Sequence, residues 1–162
     1  MIIVDTNVLV YLYIQGEYTA SVEKLLDIDS TWIAPVLWRS EFRNELALYI
    51  RKKLISVDHA LKITAEAEEL MAENEYQPSS DAVLALVHAS TCSAYDCEYV
   101  CLAKQFDTPL ITEDKKILVE FPQYTASINQ FIKLRQQNSV VLLSHVSMIY
   151  YEAVFLNFLL MR

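Results

Sequence analysis

Four acidic residues, Asp5, Glu41, Asp96 and Asp114, stand where a chain seldom places unpaired charge. Asp5 ends the apolar run Ile2-Ile3-Val4, and Asp114 follows the buried-looking strand Pro109-Leu110-Ile111-Thr112. Asp96 opens an apolar helix expected from Tyr95 to Phe106, and Glu41 lies in a helix otherwise rich in apolar residues. Leu37, Glu41, Asn44 and Leu48 share one stripe at helical spacing, which puts a carboxylate and an amide on an apolar face. Unpaired, they would be costly there. Carboxylates gathered without a cation also repel, and some take up protons. A shared divalent ion removes both costs, and an oxygen-only ligand set suits hard ions such as Mg²⁺ or Mn²⁺. Plainer uses stand beside this one. Ser93 and Asp96 have the spacing of a capping box, Asp114 has the position of a helix cap, and Asp5 precedes a helix that it could cap.

The elements that must position these groups alternate in type. A short buried strand is expected from Met1 to Asp5, then a helix from Val8 to Ile14 and another from Thr19 to Ile28. A second strand, Thr31 to Ala34, leads to Pro35, whose fixed φ suits the first turn of a helix reaching about Lys53. Ser56-Val57-Asp58 starts a helix to about Glu75 with an exposed acidic face, and Ser80-Asp81 starts one to about Thr91. After the helix that Asp96 opens come the strand Pro109–Thr112, a short helix from Asp114 to Val119, and a last strand between Tyr124 and Ile128. Strands alternating with helices indicate a parallel sheet covered on both faces, with ligands outside the carboxyl ends of its strands. Asp5 and Asp114 both fall just past such an end.

Composition narrows the chemistry further. With 162 residues, 54% of them hydrophobic, the chain has the material for a single core and is not expected to be disordered. Its single glycine, Gly16, excludes a P-loop, a GxGxxG fingerprint and a GxSxG elbow. His59, His88 and His145 make no HExxH and read as surface or core-edge residues. Cys92, Cys97 and Cys101 form no CxxC pair, which argues for buried free thiols in a reducing cytoplasm rather than for a disulfide framework or a zinc site. No secretory signal is expected at the start. The net charge of −8 opposes binding of nucleic acid through phosphate contacts alone, although bound metal ions would neutralise an acidic cluster locally. From Ser139 to Met161 the chain is almost wholly apolar, with Glu152 its one charge. Packing against the domain or a second subunit is favoured over membrane contact.

The ordered blocks Val4-Asp5-Thr6-Asn7, Ser40-Glu41 with Asn44, Ser93-Ala94-Tyr95-Asp96 with its following apolar helix, and Pro109 to Asp114 together resemble the PIN-domain ribonucleases, in particular the VapC-like toxins of toxin–antitoxin pairs. The resemblance runs from Met1 to about Lys133, leaving 134–162 as an apolar extension without counterpart in the typical domain. It implies a three-layer α/β/α sandwich with a central parallel sheet, and a Mg²⁺ or Mn²⁺ site held by Asp5, Glu41, Asp96 and Asp114. Asn7 and Thr112 resemble the family's supporting polar residues, with Thr6, Ser40 and Asn44 further out. The activity implied is metal-assisted hydrolysis of RNA phosphodiesters, restrained by a cognate antitoxin. A PIN-fold nuclease of RNA processing with no antitoxin, and a non-catalytic PIN-fold binding protein, are the alternatives. A phosphatase working through an aspartyl phosphate is opposed by Asn7, which stands where that chemistry needs a second aspartate. The apolar tail leads to the expectation of a homodimer or higher oligomer.

Overall fold

The computed structural model describes residues 1–137. Its centre is a sheet of five parallel strands: β1 (Ile2–Val4), β2 (Trp32–Pro35), β3 (Glu75–Tyr76), β4 (Leu110–Ile111) and β5 (Thr125–Ala126), in the spatial order β3-β2-β1-β4-β5. Seven helices run between them: α1 (Thr6–Tyr13), α2 (Thr19–Ile28), α3 (Trp38–Arg51), α4 (Val57–Leu70), α5 (Ser80–His88), α6 (Ala94–Phe106) and α7 (Lys115–Glu120), and 128–137 is again helical. Helices cover both faces, giving a three-layer α/β/α sandwich. Met1–Ile128 forms one compact unit, and 129–137 belongs to a second. The apolar tail from Ser139 lies outside the described residues. No helix among the described residues is long and apolar enough to cross a membrane.

Sheet and helices share one apolar interior. Every residue of β1 is buried, as a central strand covered on both faces requires, and its β-branched side chains suit that setting. α6 packs on β1, β2 and β4, and buries Cys97, Tyr99, Val100, Cys101, Leu102 and Ala103. All three cysteines are free and buried. Burial pushes the Cys92 thiol up to about 11 and raises Cys97 and Cys101, so none is poised as a thiolate. At its far end α6 stops on Asp107, which takes the left-handed conformation (φ 47°) that glycine supplies in most chains and that Asp tolerates.

Two elements differ from what the sequence suggests. Pro35 does not begin α3; it ends β2, paired with Tyr76 of β3. Ala34 and Val36 supply the N–H groups that bond to Asn74 and Tyr76, so the missing N–H of Pro35 falls on the other side of the strand. α4 stops at Leu70 rather than Glu75, and Glu75 enters the edge strand β3. The cause is tertiary. The Glu75 carboxylate accepts from the indole N–H of Trp38 (2.6 Å) and from Arg39 Nε (2.6 Å) and Nη2 (2.8 Å), and Arg39 also pairs with Glu68. The hydrogen bonds from Arg39 hold the Glu75 carboxyl below its usual range. This junction fixes α3 against β3 and α4, and α3 carries Glu41.

Candidate active site

At β1 the strand order turns back, with β2 and β3 on one side and β4 and β5 on the other. Open parallel sheets bind ligands outside the carboxyl ends of the strands at such a point. Here those ends deliver Asp5 from β1 and Thr112 and Asp114 from β4. A cleft of about 910 Å³ opens there, lined among others by Asp5, Asn7, Glu41, Asp96 and Asp114. The four carboxylates named from the sequence therefore face one cavity, although they are far apart along the chain.

Asp5 is the innermost of them. It stands at the N-cap position of α1, yet its side chain makes no capping bond. Its Oδ2 instead accepts from the Thr112 hydroxyl (2.5 Å) and from Asn7 Nδ2 (2.7 Å). Thr112 is fully buried and its hydroxyl oxygen also accepts from Asn7 Nδ2 (3.2 Å) and from the Asp114 N–H (2.9 Å). Thr112 thereby joins the ends of β1 and β4. The Asp5 carboxyl is pushed from 3.8 to about 6. Burial is the largest cause; the charges of Glu41 and Asp114 add to it, against the lowering effect of the bonds from Thr112 and Asn7.

Glu41 is held differently. Its Oε2 lies 2.5 Å from the Tyr99 hydroxyl, which donates to it, and 2.9 Å from the Thr6 hydroxyl, while those two hydroxyls are 2.6 Å apart. Tyr99 is buried on α6, and burial together with the charges of Glu41 and Asp5 raises its phenol well above the ordinary range. It is therefore a fixed donor. The stripe Leu37, Glu41, Asn44 and Leu48 is not buried in the core. The buried face of α3 is Trp38, Phe42 and Leu46, about one residue further round, and Asn44 and Leu48 are exposed. Leu37, Ser40, Glu41 and Asn44 line the cleft instead. Tyr99→Phe keeps the ring and removes the donor to a carboxylate. It is expected to lower stability by about 1.5–3 kcal/mol in a denaturant titration; an unchanged midpoint would mean that the hydroxyl does not hold Glu41.

Asp96 and Asp114 serve as caps and line the cleft at the same time. Asp96 Oδ2 accepts from the Ser93 N–H (2.9 Å) and the Ser93 hydroxyl accepts from the Asp96 N–H (3.2 Å), a complete capping box on α6. Asp114 Oδ1 accepts from the N–H groups of Lys116 (2.7 Å) and Ile117 (3.2 Å), capping α7. In Glu41, Asp96 and Asp114 the opposite oxygen accepts no hydrogen bond among the described residues. The caps of α6 and α7 fix Asp96 and Asp114 through one oxygen each. This all-oxygen donor set suits a hard divalent cation. It is not a closed shell as it stands: among the described residues no three acidic, histidine or cysteine side chains are grouped tightly enough to hold an ion. Mutual repulsion of uncompensated carboxylates and the two caps both act against a tighter grouping.

The sequence reading did not single out Tyr99, nor the cleft tyrosines Tyr11, Tyr49 and Tyr95. Tyr99 had one local signal, its place three residues after Asp96 on the same helix face. Tyr95 is the immediate neighbour of Asp96, whereas Tyr11 and Tyr49 reach the cleft only through the packing of α1 and α3.

Residues 2–122 match the PIN domain family, and the chain belongs to that family. Its fold is similar to that of the crystal structure of PAE2754 from Pyrobaculum aerophilum, with a TM-score of 0.61 and 20% sequence identity over 83% of this chain and 96% of that one. No curated protein matches the sequence. PIN domains are generally nucleases, and PIN nucleases typically use divalent metals.

Proposed function

We propose that this PIN domain is a divalent-metal-dependent endoribonuclease acting in the cytoplasm as the toxin of a toxin–antitoxin pair, with Mg²⁺ or Mn²⁺ held by Asp5, Glu41, Asp96 and Asp114. The observation that carries the metal site is the Asp5 carboxyl, buried beside Glu41 and Asp114 in a cleft whose wall has no basic side chain among the described residues. Held there, a divalent ion would supply Lewis acidity for phosphodiester hydrolysis. The chain's own residues orient. Thr112 and Asn7 fix the Asp5 carboxylate, Tyr99 and Thr6 fix Glu41, and the caps of α6 and α7 fix Asp96 and Asp114. Asn44 and Ser40 offer polar groups at the cleft wall for the substrate.

The acidic cleft also suits an antitoxin that covers it with a basic side chain. A PIN-fold nuclease of RNA processing would use the same site with no such partner. The apolar tail supports a homodimer or higher oligomer, which light scattering before and after removal of the residues beyond Lys133 reports. Incubation of mixed RNA with the purified chain tests the activity itself. Products are expected with Mg²⁺ or Mn²⁺ and not with EDTA; RNA that stays intact in every condition would refute the hydrolytic reading.

A further inference from the structure

Among the described residues, the wall of the cleft contains acidic, amide, hydroxyl, aliphatic and tyrosine side chains, but no lysine, arginine or histidine. The chain as a whole carries a charge of −8. Proteins that hold nucleic acid by its backbone do so with Lys and Arg, and the described wall offers little of either, with Arg43 reaching it only through the Ser40 hydroxyl (3.3 Å). The bases of a polynucleotide are a second source of affinity. Three rings are placed to supply it: Tyr11 from α1, Tyr49 from α3 and Tyr95 from α6 all line the cleft. Tyr11 stacks on Tyr18, with ring centroids 4.6 Å apart and planes 20° apart, and lies within electrostatic reach of Asp5 and Tyr49. Tyr95 is 61% exposed and directly precedes Asp96. An exposed aromatic ring next in sequence to a candidate catalytic carboxylate contributes little to the core and is accessible to whatever enters the cleft.

We propose that Tyr11, Tyr49 and Tyr95 form a stacking subsite for the unpaired bases of single-stranded RNA. It holds the strand by its bases while the phosphates lie toward the carboxylates. The proposal rests on the nuclease reading above for the identity of the polymer. Stacking is tolerant of sequence, because every base has a π-face. It also requires unstacked bases, so paired RNA is a poor ligand. The exposed Asn44 amide in the same cleft wall offers a donor and an acceptor to a base edge.

The test is fluorescence anisotropy with the full chain in metal-free buffer, which keeps binding apart from cleavage. The probes are a short labelled oligoadenylate, an abasic ribose-phosphate chain of the same length, and the same oligoadenylate in a duplex. The single strand is expected to bind at least about tenfold more tightly than the abasic chain or the duplex. Tyr95→Ala and Tyr11→Ala are each expected to weaken it by about 5- to 150-fold, the range measured for base–aromatic stacking. Tyr95→Phe keeps the ring and should retain affinity, and the exposure of Tyr95 makes its variants safe for the fold. Equal binding of abasic and base-bearing chains, equal binding of duplex, alanine variants that bind like wild type, or no detectable binding of the single strand would each overturn the subsite. Cleavage of RNA with Mg²⁺ is read separately. A chain that cuts RNA but binds abasic polymer equally loses the subsite and keeps the nuclease reading. A chain that binds in a ring-dependent way but never cuts keeps the subsite and loses the hydrolytic reading.

Discussion

Asp5→Ala is expected to lower RNA cleavage by at least about a thousandfold in single-turnover assays with Mg²⁺ or Mn²⁺, while the circular dichroism spectrum stays that of a folded α/β domain. The magnitude follows from position. Removing an outer-shell partner of a metal ligand costs about 10- to 100-fold, and Asp5 is the side chain those partners, Thr112 and Asn7, converge on. Taking away the carboxylate removes the proposed ligand together with the purpose of its supports. Asp96→Ala is expected to fall in the same range and to carry an added stability cost of about 1 kcal/mol, because it also opens the capping box of α6. Cleavage at the wild-type rate by both variants would remove these carboxylates from the site.

A second large effect is expected in stability, with the opposite sign. The Asp5 carboxyl titrates near 6 in the folded chain and near 3.8 when unfolded. Between those values the folded chain binds a proton that the unfolded chain has already lost. Without metal, stability therefore falls as pH rises through about 4 to 6, and at pH 7 the full penalty is present. A shift of this size corresponds to about 3 kcal/mol. Asp5→Asn removes the buried charge and keeps an oxygen to accept from Thr112. In metal-free buffer at pH 7 it is expected to raise the melting temperature by about 6–12 °C, at roughly 2–4 °C per kcal/mol for a domain of this size. The gain should shrink toward zero near pH 4. A variant less stable than wild type at pH 7 without metal would show that the buried Asp5 charge does not destabilise the fold. The same substitution that stabilises the fold should abolish cleavage, as expected of a residue kept for chemistry rather than for packing.

The sequence discloses most of the frame and part of the site, and the division is physical. β1, β4 and the start of α6 are legible because their signals are local: runs of β-branched residues, and a Ser93-to-Asp96 spacing that closes a capping box. The two-residue strand β3 is not, because Glu75 enters the sheet through bonds from Trp38 and Arg39, both far away in sequence. Pro35 misleads for a related reason, since its missing N–H is as well suited to one side of a strand end as to a helix start. Leu37 and Leu48 make Glu41 look like a core residue, whereas the wide apolar face of α3 turns on Trp38, Phe42 and Leu46. The opposition between cap and ligand also dissolves in three dimensions. Asp96 and Asp114 each cap a helix with one oxygen and also line the cleft. Tyr99, which fixes Glu41, depends on how α6 meets α3, and no spacing along the chain reports that.

The central claim is that these carboxylates together hold a divalent ion, and the melting temperature of the purified chain titrated with Mn²⁺ or Mg²⁺ tests it most directly. An ion that binds only the native state stabilises it by mass action, by about 2.7 kcal/mol at a hundred times its dissociation constant. The account predicts a rise of several degrees for wild type at millimolar metal, a smaller rise for Asp114→Asn, and none for Asp5→Asn. A wild-type melting temperature that does not move, or equal shifts in all three proteins, would contradict it.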